Sequence, residues 1–289
     1  MNMDFIENGG VTSPLGFQAA GVCAGLKRSH APDMAMIWSE APCSFSGTFT
    51  SNLFPAAPVQ LCRERVLKQK KVQAVVINSG VANACTGIEG YSNAEKMAAL
   101  TARELKIDPG MVMVSSTGRI GNQLPMDIIE KGIVLAAKSL RPDGGAEAAN
   151  AIMTTDTKPK EIALSFSAGD RKVTIGGMCK GAGMIAPKMK VPHATMLCYI
   201  TTDCAISNEL LGSMLGEVVD DSFNKVIVDG DMSTNDTVIV MANGASGVEI
   251  RENSPDALHF KVALTMVAQH LARRSRWMER GRQNLSAWK

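Results

Sequence analysis

The sequence predicts a mixed α/β fold in which β-sheets are layered with helices. Short apolar runs that end in small polar residues, such as Ala74–Gly80 and Met111–Gly118, are typical of buried strands. Amphipathic segments separate these runs. Two alternating arms that flank Gly169-Asp170 predict a β-hairpin. No internal repeat or low-complexity linker interrupts this pattern.

The elements follow in order along the chain. After the first strand, Ser92-Asn-Ala-Glu95 forms a capping box that predicts the start of a helix, and Asp108-Pro109-Gly110 ends it. A second helix is predicted from about Met126 to Leu140. Beyond the hairpin, the patterns predict strands at Met196–Thr201, KVIVDGD and TVIVMANG, a helix at about Ser207–Asp220, and a last helix capped by Ser254-Pro255 that carries Leu258, Ala263, Met266, Val267 and Leu271.

Composition excludes several function classes. The chain has 289 residues, a net charge of +2, two Tyr and eight Phe, so nothing points to a nucleic-acid partner. We see no apolar run that could span a membrane and no signal-peptide pattern at the N-terminus. Seven Cys without a CxxC pair favour a reducing compartment. We therefore expect a cytoplasmic protein with neither a nucleic-acid nor a membrane partner.

The segment KGAGMIAPKMKVPHATML raises the question of a catalytic threonine. A Thr hydroxyl is a weak nucleophile unless a base activates it, and the free amine of an N-terminal Thr can be that base. Cleavage between Ala194 and Thr195 would create such an amine. The alternative is that Thr195 only begins a strand, where β-branched residues are common.

Three other polar segments are candidates for a site. SSTG at Ser115–Gly118 ends a strand in a turn that could hold an oxyanion, although the segment in isolation favours a simple strand-ending loop. MTTDT at Met153–Thr157 could be no more than a helix cap. VDGDMSTND at Val228–Asp236 lacks the closing Glu of a calcium loop, so we expect no metal.

Taken together, the segments resemble one family, the bifunctional ornithine/glutamate N-acetyltransferases of arginine biosynthesis. The motifs that carry the resemblance occur in the family's order between Gly10 and Leu271: GVTSPLGFQAAGVCAGLK, NSGVANACTG, VSSTGRIGNQLPMD, AIMTTDTKPK, KGAGMIAP, ATML and VDGDMSTNDT. The resemblance implies a fold like that of amine-terminal nucleophile hydrolases. It also favours the nucleophile interpretation of Thr195 over the strand-start interpretation.

The resemblance implies a role for each matching residue. Thr195 would be the nucleophile and, with Ala194, the cleavage site, while Thr117 and Gly118 would form the oxyanion hole. Thr154 and Lys180 would contact the substrate. Members of the family move an acetyl group from N-acetylornithine to the Thr and then to glutamate, without a cofactor, and some also accept acetyl-CoA as donor.

The resemblance also implies a domain organisation: an alpha chain at 1–194, the start of a beta chain at 195–272, and assembly as a hetero-tetramer of two alpha and two beta chains. Two alternatives stay open, a truncated and impaired pseudoenzyme and an amide hydrolase that uses a terminal Thr. Val81 stands where the family usually has Asn, and Lys190–His193 resemble an insertion before the cleavage site.

The tail at 273–289 departs from the family in composition. It holds six of the 30 Lys+Arg but one of the 28 Asp+Glu, and the family's DGEGATK segment is absent. With allowed codons, Arg276–Ser286 read one base out of frame can give VDGEGATKLI. We therefore expect an out-of-frame tail rather than a true basic extension, and the coding DNA tests this hypothesis directly.

Overall fold

The computed structural model describes residues 3–181, 196–225 and 233–276. The strands are β1 Met3–Ile6, β2 Phe17–Val22, β3 Met34–Phe49, β4 Val72–Val81, β5 Val112–Arg119, β6 Lys160–Ala168, β7 Arg171–Lys180, β8 Leu197–Thr202, β9 Ala205–Ile206, β10 Thr237–Ala242 and β11 Glu249–Ile250. The helices are α1 Ala57–Lys68, α2 Gly87–Leu105, α3 Met126–Lys138, α4 Gly145–Ala151, α5 Asn208–Asp220 and α6 Pro255–Arg276.

Among the described residues, nine strands form one sheet in the order β1-β6-β7-β8-β10-β3-β4-β5, and β2 pairs with β3. Two neighbouring pairs are parallel, β4 with β5 and β8 with β10. Parallel neighbours need a crossover, and α2 and α5 lie in the two connections. The candidate site segments lie at strand ends: SSTG lies near the end of β5, Lys180 ends β7, and Met196 immediately precedes β8.

Strand β3 joins the two halves of this sheet. Its first part, Met34–Trp38, pairs with β2 and β4, and its last part, Ser44–Phe49, pairs with β10. The pairing with β4 shifts register between Trp38 and Cys43, which is the mark of a β-bulge or a similar irregularity. A bulge bends a strand and increases its twist, so β3 can belong to both halves.

Alternating side chains divide the core into layers. On β10, Val238 and Val240 pack in a cluster with α5 and α6, while Ile239 and Met241 pack in a second cluster between the sheet halves. The other half continues this pattern, since Val75 and Ile77 of β4 enter the central cluster and the opposite face packs on α1, α2 and α3. The central strands are therefore buried on both faces, and the layers run helix, sheet, sheet, helix.

Among the described residues, the predicted strands, hairpin and helices are confirmed, and two details differ from the pattern. Helix α2 begins at Gly87 rather than at Ser92. The sequence pattern missed its first turn because that turn has no buried periodic residue: Ile88 is 91% exposed. On α6, Leu258 is 64% exposed, whereas Phe260 and Leu264 contribute to the core. The predicted strand KVIVDGD at 225–231 and nearly all of the tail at 273–289 lie outside the described residues. No helix in the described part of the chain is both long enough and apolar enough to cross a membrane.

Candidate functional site

The end of β5 is shaped by two facing glycines. Gly118 lies opposite Gly80 of β4, and the register shifts at Val81 immediately afterwards. Gly118 and Gly80 have φ angles of +132° and +125°, a region that side chains disfavour. A Cβ on Gly118 would overlap the Gly80 backbone and approach the Val81 nitrogen at 2.6 Å. The backbone after Thr117 can take this path because both positions are glycine.

Gly118→Ala is therefore expected to distort the end of β5. The strained φ alone costs about 1–3 kcal/mol of unfolding free energy, and the backbone overlap adds to it. Gly121→Ala is the matched control, because Gly121 also has a positive φ of +83° but no atom within 4 Å of the added Cβ. Thermal unfolding of both variants measures the difference. Equal losses of stability would show that the close approach at Gly80 carries no cost.

Buried hydrogen bonds hold β5 to its neighbours. The Ser116 hydroxyl donates to Asn78 Oδ1 at 2.6 Å, and Asn78 Nδ2 donates to the Val81 carbonyl at 2.8 Å. Asn235 Nδ2 donates to the carbonyls of Ala82 and Ser116 at 2.6 and 2.8 Å. These polar groups are buried and partnered, so they fix the strand end that precedes Thr117.

Lys180 reaches Thr117 from the end of β7. Its Nζ donates to Thr117 Oγ1 at 3.2 Å, and both side chains are buried. Burial lowers the pKa of Lys180 from its ordinary value, while Asp156 opposes that shift and Lys160 adds to it. A hydroxyl that accepts from an ammonium still has its own proton to donate. Thr117 is therefore equipped to donate a hydrogen bond to an oxyanion.

Asp156 connects the other candidate residues. One carboxylate oxygen accepts hydrogen bonds from Lys160 Nζ and from the Gly181 amide at 2.8 Å, and the other accepts from the Thr154 amide at 3.2 Å. Burial alone would raise the pKa of Asp156, but Lys180, Lys160 and these hydrogen bonds outweigh it and lower the pKa. A single carboxylate thus fixes the backbone beside Lys180 and the backbone of Thr154.

Lys27 supports the loop that carries Thr154 from the other side. Its Nζ donates to the Met153 carbonyl at 2.8 Å and to the Ala151 carbonyl at 3.4 Å. The segment around Lys27 is itself held by Asp33, a buried residue whose carboxylate accepts four backbone amides, those of Ala24, Gly25, Leu26 and Lys27. The loop position of Thr154 is therefore set by residues distant in sequence.

Asp236 lies at the start of β10, beside β8. Its Oδ1 accepts the Met196 amide at 2.7 Å, and the Met196 carbonyl accepts the Thr237 amide at 2.9 Å. Asp236 is fully buried, and burial raises its pKa well above the ordinary value, against the lowering effects of the Met196 amide and Lys180. This contact fixes the residue that immediately follows position 195.

The structure brings Thr117, Lys180 and Thr154 into one hydrogen-bonded network with Gly118 at its edge. Thr195 and Ala194 lie outside the described residues, so their roles, like those of the other predicted site residues, stay predictions. Sequence reasoning missed the contributions of Lys27, Asp33, Asp156, Lys160, Asn235 and Asp236. Asp156 and Asp236 do stand in the polar segments MTTDT and VDGDMSTND, which is a signal, but their partners are remote in sequence.

The layered sheets and helices define a fold class, that of the amine-terminal nucleophile hydrolases. The L-aminopeptidase D-Ala-esterase/amidase from Ochrobactrum anthropi, described as a variant of that fold, superposes with a TM-score of 0.56 over 94% of this chain and 86% of its own. At 12% identity, this likeness concerns the fold alone. The chain belongs to the ArgJ family, whose model matches residues 18–276.

Relatives of known identity agree with this assignment. The arginine biosynthesis bifunctional protein ArgJ of Symbiobacterium thermophilum is 50% identical over 268 residues, and ArgJ 1 of Nostoc sp. is 45% identical over 266. Each alignment covers 92% of this chain, but the chain spans only 65% and 63% of the lengths of those relatives. The family predicted from the ordered motifs is confirmed.

Solved structures of relatives match as well. Ornithine acetyltransferase from Mycobacterium tuberculosis, crystallised with ornithine, is 42% identical and superposes with a TM-score of 0.62. The ArgJ protein of Bacillus halodurans is 40% identical, with a TM-score of 0.61. Each superposition covers 65% of this chain and 100% or 98% of the solved chain. The predicted layered fold is confirmed.

Proposed function

We propose that this chain transfers an acetyl group from N-acetylornithine to glutamate through an acetyl-Thr195 intermediate, after cleaving itself between Ala194 and Thr195. The observation that carries the proposal is the end of β5, where the Thr117 hydroxyl accepts a hydrogen bond from Lys180 and Gly118 follows with a φ of +132°. Hydrogen-bond donors fixed before the reaction begins are what an oxyanion hole requires.

The chemistry balances in two half-reactions. The Thr195 hydroxyl attacks the acetyl carbonyl of N-acetylornithine, and its proton passes to the terminal amine. The resulting tetrahedral oxyanion accepts hydrogen bonds from the Thr117 hydroxyl and the Gly118 amide. The amide bond then breaks, ornithine leaves with the proton, and an acetyl ester remains on Thr195. The amine of glutamate attacks that ester by the reverse sequence and restores the hydroxyl.

Self-cleavage uses the same hydroxyl, before the terminal amine exists, and the residue-195 nitrogen takes up a proton as its bond to the Ala194 carbonyl breaks. The Thr195 hydroxyl attacks the Ala194 carbonyl, the peptide becomes an ester, and water hydrolyses that ester to free the new amine. Residues 1–194 would make up 67% of this chain (194 of 289). The solved chain of the Mycobacterium relative is matched completely by 65% of this chain, which agrees with a division at that point.

The hydrogen-bonded network supports two proposed substrate contacts, Lys180 and Thr154. Lys180 would face the substrate carboxylate as a compact cation. Thr154 has an exposed side chain while Asp156 and Lys27 fix its loop, so its hydroxyl can meet a ligand. We extend the proposal to acetyl-CoA as a second acetyl donor, to an assembly of two alpha and two beta chains, and to a location in the cytoplasm.

Intact mass and N-terminal sequencing of the purified chain test the first step. Two fragments that meet at Ala194–Thr195 are the expected result, and incubation with N-acetylornithine should then add one acetyl group to the fragment that begins at Thr195. N-acetylglutamate should exceed free acetate when glutamate is present. Excess acetate would indicate an amide hydrolase instead, and a single uncut chain of 30.7 kDa that never gains an acetyl group would contradict the proposal.

A further inference from the structure

A cavity of about 800 Å³ opens between strand β1 and the last turns of helix α6. Phe5 of β1 and the segment 157–159, which precedes β6, form its sheet side. The helix side is a single stripe of α6, because residues three and four apart share a helix face: Met266, Gln269, His270, Arg273 and Arg274. The volume lies within the range of small-molecule sites, about 300–1,000 Å³.

The lining of this cavity is positively charged. Lys158, Arg273 and Arg274 belong to it, and no Asp or Glu does among the described residues. All three cations are exposed, and within the described ranges none of them has an ion-pair partner. Burial and the two arginines lower the pKa of His270, so its ring is neutral at pH 7. At neutral pH the lining therefore carries three positive charges.

The helix dipole explains only part of this charge. Basic residues in the last turn of a helix complement its dipole, which accounts for Arg273 and Arg274. It does not account for Lys158, which precedes β6 and lines the same cavity. Residues 277–289, which follow α6 in the sequence, contain three Lys or Arg and one Glu, so their composition adds positive charge. An anion from outside the chain would complement all three cations.

An uncovered aromatic ring lies beside these cations. Phe5 is directly opposite Leu164 in the antiparallel pair of β1 and β6, so the two side chains share the sheet face that packs on α6. Leu164 is fully buried, whereas Phe5 is 61% exposed. Aromatic rings stack on nucleobases, and arginine and lysine bind phosphate groups. The cavity combines both features.

The cavity adjoins the candidate site through the segment that carries Thr154. Lys158 follows Thr154 by four residues, so their Cα atoms are at most about 14 Å apart. Between them, Asp156 accepts the Thr154 amide and pairs with Lys160. A ligand bound to Lys158 would therefore contact the loop that carries Thr154.

We propose that this cavity binds a nucleoside diphosphate, with the base stacked on Phe5 and the phosphates bound by Lys158, Arg273 and Arg274. Arginine can bind two phosphate oxygens at once, and lysine adds a compact charge. A free nucleotide and the nucleotide portion of a larger cofactor share this chemistry. The inference goes beyond the proposed acetyl transfer and does not depend on it.

Isothermal titration calorimetry of the purified full chain tests the inference. ADP is the probe, and adenosine and pyrophosphate are its two halves. We expect one ADP per chain, with each half binding more weakly because it retains only the stacking or only the phosphate contacts. Added salt should weaken ADP and pyrophosphate but not adenosine, since salt screens exposed charges.

Two substitutions separate the two kinds of contact. Phe5→Leu removes the ring and should weaken ADP by about 10- to 100-fold, the usual effect of losing one stacked base, while pyrophosphate binds as before. Lys158→Gln should weaken ADP and pyrophosphate by about tenfold and leave adenosine unchanged. Both side chains are exposed, so the variants should fold, and thermal unfolding checks this.

Each substitution has a matched control. Phe54→Leu replaces another aromatic residue, 74% exposed, that lines a different cavity. Lys131→Gln removes an exposed cation from α3, which does not line the cavity. Both control variants should bind ADP as wild type does. If Lys131→Gln weakens ADP as much as Lys158→Gln, the basic surface attracts anions in general and the inference is wrong.

CoA distinguishes the two sources of the ligand. If CoA binds at least as tightly as ADP and the two compete, the cavity holds the nucleotide portion of a thioester donor. If ADP binds and CoA does not, the ligand is a free nucleotide. Either result supports the inference.

The remaining outcomes overturn it. They are the absence of saturable ADP binding at about 1 mM, and pyrophosphate that binds as tightly as ADP while Phe5→Leu has no effect. A cavity that binds no ADP, but whose substitutions change the oligomeric state, would be an interface between copies of the chain. Acetyl transfer is assayed separately: its failure alongside specific ADP binding would remove the proposed function and leave this inference intact.

Discussion

Thr117→Val is expected to slow the acetylation of Thr195 by about 100- to 1000-fold, the usual effect of removing one oxyanion donor. Valine keeps the shape of the side chain and removes only its hydroxyl. The hydroxyl accepts from Lys180 Nζ at 3.2 Å and keeps its own proton for the oxyanion. The single-turnover rate with N-acetylornithine measures the effect.

The substitution also leaves the buried Lys180 ammonium without this acceptor, so some loss of stability accompanies it. An unpartnered buried group costs about 1–3 kcal/mol, which thermal unfolding would reveal. Thr117→Ser is the control, because serine retains the hydroxyl and should stay within about tenfold of the wild-type rate. A valine variant that acetylates as fast as wild type would remove Thr117 from the oxyanion hole.

Asp156→Asn is expected to lower the free energy of unfolding by about 3–5 kcal/mol, the usual cost of breaking a buried ion pair by removing one partner. Asp156 and Lys160 both have side-chain exposures of 0%, so the remaining ammonium would have no solvent to compensate it. The substitution also weakens the hold on the Thr154 and Gly181 amides. Chemical denaturation measures the stability, and the KM for N-acetylornithine should rise with the loosened loop.

The control for Asp156→Asn is Asp221→Asn. Asp221 pairs with Lys225 at the same spacing of four residues, but both side chains are about two-thirds exposed. Exposed pairs contribute little, so this variant should unfold like wild type. The double variant Asp156→Asn/Lys160→Met should recover part of the loss, because it removes both charges. Similar behaviour of the buried and exposed variants would contradict the assigned role.

Asp156 makes the free energy of unfolding fall as the pH becomes acidic. The pKa of Asp156 lies below its ordinary value of 3.8 in the folded state, so the unfolded state binds the proton more tightly. The stabilisation that ionised Asp156 contributes to the folded state is complete above its ordinary pKa and is lost as pH falls through the lower pKa of the folded state. Acid unfolding of wild type should therefore be steeper than that of Asp156→Asn.

The sequence by itself determined the local elements and the family. The continuous apolar run in TVIVMANG predicts a buried strand, and alternation in the hairpin arms predicts strands with one apolar face, because a period of two places successive side chains on opposite faces. The order of seven motifs identified the family more specifically than any single motif could. Thr117, Gly118, Thr154 and Lys180 were named as site residues from those motifs, and three of them lie in one network.

Only the tertiary structure decided how these residues are held. The bend of β3 is a register shift between strands, and no local pattern encodes it. The start of α2 at Gly87 was missed because an exposed Ile88 carries no periodic signal. Lys27, whose segment is held by Asp33, supports the Thr154 loop from far away in sequence: Lys27 and Met153, which are in contact, are 126 residues apart.

Asp156 and Asp236 show why the sequence alone could not reveal how the site is held. In the sequence, Asp156 and Asp236 are polar residues in polar segments, and a helix cap or a solvated loop explains them equally well. Burial changes their chemistry: two lysines lower the pKa of Asp156, while desolvation raises that of Asp236. Desolvation and charge pairing depend on neighbours that only folding assembles. The sequence thus supplied candidate site residues, and the packing of distant strands decided what each carboxyl group beside them can do.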